Sequence, residues 1–364
     1  MRLPRFFNLP AITLVVPLAA CGLLLSGIGE GGGTLFLLLT TLVLIGTVLV
    51  AVFHAEVIAH RIGEPLGTLV LALAVTVIEV SLIVSMMLSG GDEARSLARD
   101  TVFATVMIIC NGVVGICLLS GSIRHRIVSY RAEGSSSALS VLAALTTLTL
   151  ILPQFTTTTV GPSYSTSQLA FASLMSLILY LVFVFVQTVR HKDHFLPIAL
   201  ANDDPETHGE APALSTAWAS FAFLFLALIG VVGLAKKLSP AIKSGVDHIG
   251  APQAVIGVAI ALLVLLPETL AALNAARRNQ IQTSLNLALG SALATIGLTI
   301  PAVGAVAIAM GITLDLGLPA KEIVLLALTL MVSAITVIGG QATIMQGTVH
   351  LVLFAVFLFL AVVP

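Results

Sequence analysis

The chain has 364 residues, of which 58% are hydrophobic and 9% are charged, and its formal net charge is −1. A soluble domain carries about 25% charged residues, so this composition and a mean hydropathy of +1.12 exclude a soluble globular domain. They predict an all-α polytopic protein of the lipid bilayer. The near-zero net charge gives no support for a nucleic-acid partner. The cysteines lie in apolar runs without CxxC spacing, so no zinc site, disulfide framework or bound cofactor is predicted.

The apolar runs cross a bilayer about eleven times, because a hydrocarbon core of about 30 Å needs about 20 residues of helix. The first run follows two arginines, as in a signal peptide. It is long and the next span follows at once, so we predict a retained helix. The ninth run holds several glycines and Pro301, which predicts a kink or break. The predicted helices lie near residues 11–28, 34–54, 65–88, 101–121, 137–153, 168–189, 214–235, 252–274, 281–310, 321–340 and 345–363.

The orientation follows from the basic residues. Most of the 16 lysines and arginines fall in segments that face the cytoplasm if the N-terminus is cytoplasmic and the C-terminus periplasmic. We therefore predict this orientation in a bacterial inner membrane. The longest polar segment, residues 191–213, joins the sixth and seventh helices and is rich in acidic residues and histidine. It is either a solvated linker or a cation- or pH-sensing loop.

Two glutamates lie inside apolar runs, Glu79 in the third and Glu268 in the eighth. An ionisable side chain within a bilayer is costly and is rarely present without a function. Residues 68–84 align with residues 257–273 without a gap, and the spans that follow also correspond. In the predicted orientation the third helix runs outward and the eighth runs inward. This inverted repeat, with acidic groups near the midplane, is typical of secondary transporters.

The paired acids predict competition between protons and a cation. Burial favours the neutral acid, and a bound cation favours the carboxylate. Glu79 and Glu268 would suit one divalent ion, or one monovalent ion with one proton retained. A structural hydrogen bond or a permanently protonated acid is the alternative for either glutamate.

Neutral oxygens complete the predicted site, because calcium takes 6–8 oxygen ligands. Pro267 removes an amide donor just before Glu268 and so frees a carbonyl oxygen. For serine and threonine, helix packing or a bond to the preceding turn is the alternative. The predicted supporting ligands are Thr76, Asn111, Thr269, Asn274, Asn286 and Ser291.

Histidines form the remaining titratable features of the spans. His54, Glu56 and His60 lie at the predicted cytoplasmic end of the second helix, where they form a solvated helix end or an entrance for protons or cations. His350, in the last span, is predicted to be a satisfied packing residue.

The chain resembles the calcium/cation antiporter superfamily, and in particular its bacterial cation/proton exchangers. Two segments carry the resemblance, GEPLGTLVLALAVTVIEVSLIV and PETLAALNAARRNQIQTSLNLALGSALATIGLTIPAV, together with the eleven-helix layout and the acidic loop. The resemblance implies one helix followed by two inverted five-helix repeats, with the essential acids at Glu79 and Glu268. The implied divisions are a first helix in 1–33, a first repeat in 34–190, a linker in 191–213 and a second repeat in 214–364.

The same resemblance implies small polar positions at Asn111–Gly112 and Gly290–Ser291. Many calcium-exchanging members carry Asn-x-x-Glu in these motifs, whereas Thr76 and Leu265 stand in that place here. Sodium and potassium are therefore candidate substrates alongside calcium.

These features predict a cation/proton antiporter that exports calcium, sodium or potassium and works by alternating access around the two glutamates. A cation channel is the first alternative, but few polar residues lie within the spans. An intramembrane enzyme is the second, but no paired aspartates, metal triad or Ser/His pair lies within a span. The sequence gives no indication of oligomeric state.

Overall fold

The computed structural model describes residues 5–6, 9–26, 33–63, 66–90, 95–196, 212–248, 252 and 254–363. Within these residues the chain forms helices and four two-residue strands. The helices are α1 (Ala11–Leu25), α2 (Gly33–Ile62), α3 (Leu66–Gly90), α4 (Leu97–His125), α5 (Ala132–Phe155), α6 (Thr166–Arg190), α7 (Leu214–His248), α8 (Ala254–Arg277), α9 (Ile281–Met310), α10 (Ala320–Ile338) and α11 (Ile344–Val362). The strands are β1 (Arg5–Phe6), β2 (Leu9–Pro10), β3 (Val128–Ser129) and β4 (Gln341–Ala342).

The eleven predicted helices are confirmed, since each predicted span overlaps one helix of the described residues. Among the described residues, nine helices are long and apolar enough to cross a membrane, and Ala11–Leu25 and Ala72–Leu88 are shorter apolar helices. The helices α2 and α7 continue well beyond their predicted ends, because apolar sequence marks only the part of a helix that lies in lipid. The polar linker falls mainly on residues 197–211, which lie outside the described residues.

The predicted break in the ninth helix takes the form of a π segment. It covers Thr295–Thr299 and directly precedes the turn that contains Pro301, and α9 stays helical through it. Further π segments lie in α5 (Thr147–Ile151), in α6 (Val186–Arg190) and in the middle of α4 (Ile108–Val113). Such segments often occur at functional sites, and the sequence carried no signal for the one in α4.

The described helices fall into two compact units. The first unit contains α1, α2, α3 and α7, and α7 packs on the other three helices. A Cβ atom at Gly233 of α7 would lie 2.5 Å from Leu24 of α1, so glycine permits the close approach. His54 of α2 is fully buried and its Nε2 lies 2.9 Å from the carbonyl oxygen of Thr13. The prediction of a solvated helix end is therefore wrong for His54, although Glu56 is exposed.

The second unit contains α4, α5, α6 and α8–α11. Its central helix is α4, which packs on α8, α9 and α11 and has an 89% buried span. Each unit contains helices from both sides of the polar linker. The two compact units therefore do not coincide with the two halves of the chain. The boundaries of the two repeats stay a prediction.

Contacts between loops of the second unit agree with the prediction that successive loops alternate between the two sides of the bilayer. The strands β3 and β4, both in predicted cytoplasmic loops, pair antiparallel. Ser163 and Asp315, both in predicted periplasmic loops, form a bridge, and the Ser163 hydroxyl donates to the Asp315 carboxylate over 2.5 Å. Segments predicted on one side of the bilayer thus meet each other. Which side is cytoplasmic stays a prediction.

Candidate cation and proton site

Glu79 lies in the middle of α3, in the first unit, and its side chain is 2% exposed. Its neighbours Ile78 and Leu82 on the same helix are buried too. Thr76, nearly one turn earlier, is buried, and its hydroxyl donates to the carbonyl oxygen of Ala72 over 2.8 Å. The bond to the preceding turn is therefore present. The oxygen of Thr76 keeps a lone pair, and its role as a ligand stays a prediction.

Glu268 lies on α8, in the second unit, and is half-buried. Pro267 stands directly before it inside the helix. Because proline has no N–H, the carbonyl oxygen of Leu263, four residues earlier, has no helix donor at this position. Thr269 is half-buried beside Glu268, whereas Asn274 is exposed nearly two turns farther along the helix. Adjacent residues of a helix do not face each other, so the ligand role of Thr269 stays a prediction, and the structure does not bring Asn274 to Glu268.

The helices α4 and α8 run parallel, and glycines fix their register. A Cβ atom at Gly257 of α8 would lie 2.9 Å from the Asp100–Thr101 backbone of α4. Farther along both helices, a Cβ atom at Gly121 of α4 would lie 3.6 Å from the carbonyl oxygen of Ala276. The pairing advances in the same direction on both helices. Equal steps along α4 and α8 therefore reach equal depth.

This register places Glu268 at the depth of Asn111. Asn111 lies midway between the two glycine contacts on α4, and Glu268 lies about 2 Å past the midpoint on α8, at 1.5 Å per residue. Ser291 lies at a similar depth, because α8 and α9 form an antiparallel pair. Both Glu268 and Ser291 are about 14–15 Å from the connection that joins those helices, at 1.5 Å per residue. Three of the predicted site residues thus share one level of the second unit.

Asn111 is fully buried in the π segment of α4, and both of its polar atoms have neighbours within the unit. Its Nδ2 donates to Thr329 Oγ1 over 2.9 Å, and its Oδ1 lies 3.4 Å from Nδ1 of His350. The adjacent Gly112 packs on the ring of Phe354. The side-chain amide of Asn111 is therefore held by α10 and α11 at the level of Glu268.

Asn286, nearer the start of α9, forms hydrogen bonds that hold neighbouring segments together. Its Nδ2 donates to the carbonyl oxygen of Phe195 over 2.6 Å, and its Oδ1 accepts from Nε2 of Gln282 over 2.9 Å. Gln282 in turn accepts from the backbone N–H of Arg131. These bonds tie α9 to two connecting segments, about a turn and a half from the level of Ser291. The ligand role of Asn286 stays a prediction.

The backbone beside Ser291 has free space. Ser291 is half-buried, and a Cβ atom at Gly290 would meet no atom within 4 Å. By contrast, a Cβ atom at Gly297 would lie 2.5 Å from Tyr180. Close helix packing therefore explains Gly297 but does not explain Gly290.

Comparison with known proteins shows which proteins this chain is similar to. The family model described as "Sodium/calcium exchanger protein" matches residues 32–189 and 219–363. A relative from Sinorhizobium fredii (strain NBRC 101917 / NGR234), whose name describes an ionic transporter, y4hA, is 45% identical over 363 residues, 99% of this chain and 98% of the relative. The sodium-potassium/proton antiporter ChaA of Escherichia coli (strain K12) is 36% identical over 307 residues, 84% of this chain and 82% of the relative.

A solved structure shares the fold. The crystal structure of the H+/Ca2+ exchanger CAX superposes with a TM-score of 0.68 over 95% of this chain and 88% of that chain. The sequence identity is 15%, so this likeness concerns the fold alone.

Proposed function

Since the chain belongs to the sodium/calcium exchanger protein family, whose model matches most of its length, we propose that it is a secondary-active antiporter that exports a small cation in exchange for protons. The resemblance to the calcium/cation antiporter superfamily is confirmed. The chain is a multi-pass protein of a transporter family and not an enzyme. The identity of the cation and the use of the glutamates belong to the proposal.

One observation carries the proposal: Glu268 stands at the level of Asn111 and Ser291, and Pro267 frees a carbonyl oxygen in the preceding turn of its helix. These groups are an acid and neutral oxygens, the donor types that hard cations prefer. Glu79 supplies the second acid on the corresponding helix of the other repeat. We place the alternating binding of cation and proton on Glu79 and Glu268.

The exchange follows from electrostatics. In an apolar environment each empty acid favours its neutral form, because burial penalises a bare carboxylate. A bound cation stabilises the carboxylate and expels the proton, and an arriving proton removes the charge that holds the cation. The protein needs only to expose this site to one side of the membrane at a time, through rocking of the two repeats.

The proposed substrates are sodium and potassium, with calcium as a third. The relative ChaA is named as a sodium-potassium/proton antiporter, and CAX is named as an H+/Ca2+ exchanger. The apolar Leu265 three positions before Glu268 gives no side-chain oxygen, which favours a site of low ligand number. We place the protein in a bacterial inner membrane with a cytoplasmic N-terminus and a periplasmic C-terminus.

The test uses everted membrane vesicles with a preset proton gradient and a pH-sensitive dye. Sodium, potassium and calcium are added in turn, and the dequenching rate is recorded. The variants Glu79→Gln and Glu268→Gln should each lower the rate at least about 100-fold, since a neutral amide cannot exchange a proton for a cation. Glu133→Gln, an exposed acid in the first turn of α5, is the matched control and should keep the rate.

Wild-type protein that is inserted yet gives no response to any of the three cations would refute the proposal. A response that is unchanged in both glutamine variants would refute the role of the acids. A cation current without a fixed ratio of cations to protons would favour a channel instead.

A further inference from the structure

His350 stands next to Asn111 because glycines bring α4 and α11 together. A Cβ atom at Gly347 of α11 would lie 2.6 Å from the backbone nitrogen of Leu119 on α4. A Cβ atom at Gly115 of α4 would lie 3.0 Å from the Cβ atom of His350. The contact at Gly347 is shorter than Cβ atoms tolerate, so glycine is needed there, and the contact at Gly115 is tight enough to favour glycine. The imidazole of His350 is thereby fully buried against the π segment of α4.

The hydrogen bonds around Asn111 fix the orientation of its amide. The hydroxyl of Thr329 lies 3.4 Å from the sulfur of Met107, to which it can donate its proton. Its oxygen then accepts from Nδ2 of Asn111. The Oδ1 atom of Asn111 is left as an acceptor 3.4 Å from Nδ1 of His350, so the pair is bonded in the tautomer with the proton on Nδ1. The backbone of Cys110 is a further hydrogen-bond partner of the ring.

The second ring nitrogen of His350 completes the chain of bonds. Its Nε2 lies 3.1 Å from Oγ1 of Thr336 and, in the tautomer with the proton on Nδ1, accepts the hydroxyl proton. The backbone carbonyl oxygen of Thr336 accepts from the hydroxyl of Tyr130 over 2.6 Å. Hydrogen bonds to the carbonyl and to the hydroxyl of Thr336 thus connect Tyr130, just outside the spans, and His350 to the same residue of α10.

The surroundings of His350 favour a neutral ring. A small cavity with room for about one water molecule adjoins it. Among the described residues, the titratable groups that line this cavity besides His350 are Cys110 and Tyr130, and no Asp, Glu, Lys or Arg lines it. An imidazolium here would lack a counter-ion, which burial makes costly. The ring therefore acts through its hydrogen bonds.

We propose that His350 is a positioning residue, which holds the Asn111 amide in the orientation that cation binding requires. The inference rests on the proposed transport function and deepens it, because it names a residue that acts on the site through Asn111. If His350 acted through packing alone, the KM for the cation would depend on the shape of its side chain and not on which ring nitrogen a substitution retains.

Two substitutions separate these roles, because each keeps one of the ring nitrogens. In His350→Asn the side-chain amide reaches the place of Nδ1 and can still donate to Asn111. In His350→Gln the amide reaches the place of Nε2 and keeps only the contact with Thr336. We expect His350→Gln to raise the KM for the cation about five- to tenfold, the equivalent of one lost hydrogen bond. The rise in His350→Asn should be several times smaller, although both variants lower the melting temperature.

The vesicle assay gives the KM values of His350→Asn and His350→Gln, and melting temperatures are measured on the purified proteins. His125→Asn and His125→Gln, at a half-buried position in the last turn of α4, form the matched control pair. In an Asn111→Ala background, the difference between the two His350 variants should vanish, because the group that His350 positions is gone.

Equal KM values for His350→Asn and His350→Gln would overturn the positioning role while leaving the proposed function intact. A difference that survives in the Asn111→Ala background would overturn it as well. Wild-type protein without exchange would refute the proposed function and the positioning role together. In solid-state 15N spectra His350 should be neutral with Nδ1 protonated between pH ~6 and ~8, and a charged ring at pH ~6 would contradict the arrangement.

Discussion

The helices α3 and α8 carry corresponding glutamates in surroundings that differ. Glu79 is 2% exposed and follows the apolar Ile78 in an uninterrupted helix. Glu268 is half-buried and follows Pro267, which leaves a carbonyl oxygen of its helix without a donor. The two segments align without a gap, so one proline and different packing partners make the difference. A repeat can place the same chemical group twice, while its neighbours decide how much water and how many oxygens reach it.

The largest expected effect is a difference between the two acids when each side chain is shortened by one methylene group. Glu79→Asp should lower the exchange rate about 100-fold, because a tightly packed carboxyl group cannot follow the shortened side chain. Glu268→Asp should lower it about tenfold, since the side chain of Glu268 as a whole is less tightly enclosed than that of Glu79. The vesicle assay measures both rates. Equal losses would show that the two acids have similar surroundings during transport, contrary to the difference in burial.

Two glycines of the second unit should respond in opposite directions. Gly347→Ala places a methyl group against the backbone of Leu119 and should destabilise the protein by about 1–3 kcal/mol. Gly290→Ala meets open space and should stabilise α9 by about 0.5–1 kcal/mol. If that space admits the cation beside Ser291, Gly290→Ala should lower transport despite the gain in stability.

Thermal melting in detergent and the vesicle assay are measured on the same preparations. A stable Gly290→Ala protein with undiminished transport would remove Gly290–Ser291 from the site.

The proline of α8 offers a direct test of the asymmetry between the glutamates. Pro267→Ala restores an N–H donor for the Leu263 carbonyl, so it should raise the melting temperature and raise the cation KM about three- to tenfold. Pro240→Ala, at an exposed proline inside α7, is the matched control and should change stability alone. An unchanged KM in Pro267→Ala would exclude the freed carbonyl as a ligand.

The smallest expected effect concerns Tyr130. Tyr130→Phe removes the bond to the Thr336 carbonyl and should destabilise the protein by about 1 kcal/mol. Burial raises the pKa of Tyr130 to about 12, above the value of about 10 for an exposed tyrosine. The stabilisation by Tyr130 is therefore complete below pH ~10 and is lost as the pH rises towards ~12. Melting curves should accordingly converge for wild type and Tyr130→Phe above pH ~10.

The number and order of the helices followed from the sequence, because the length of an apolar run reports directly on a bilayer crossing. The grouping of α7 with α1–α3 did not follow, since it depends on contacts between helices far apart in the chain. His54 illustrates the same limit. A polar residue near the end of a span predicts contact with solvent, whereas the structure buries its ring against α1.

The site was predictable in part. The acids Glu79 and Glu268 stood out because charge is rare in apolar runs. The sequence predicted that His350 is satisfied, which the bonds of both ring nitrogens confirm. It could not predict the partner Asn111, because that contact depends on glycines of two helices and on a π segment without a sequence signature.

Proton release on cation binding tests the central claim most directly. Purified protein in weak buffer receives sodium, potassium or calcium, and the pH of the solution is recorded. Competition at Glu79 and Glu268 predicts that cation binding releases protons, and that Glu79→Gln and Glu268→Gln each lower the number released per cation bound. Cation binding without proton release, or release that is unchanged in both variants, would contradict the account.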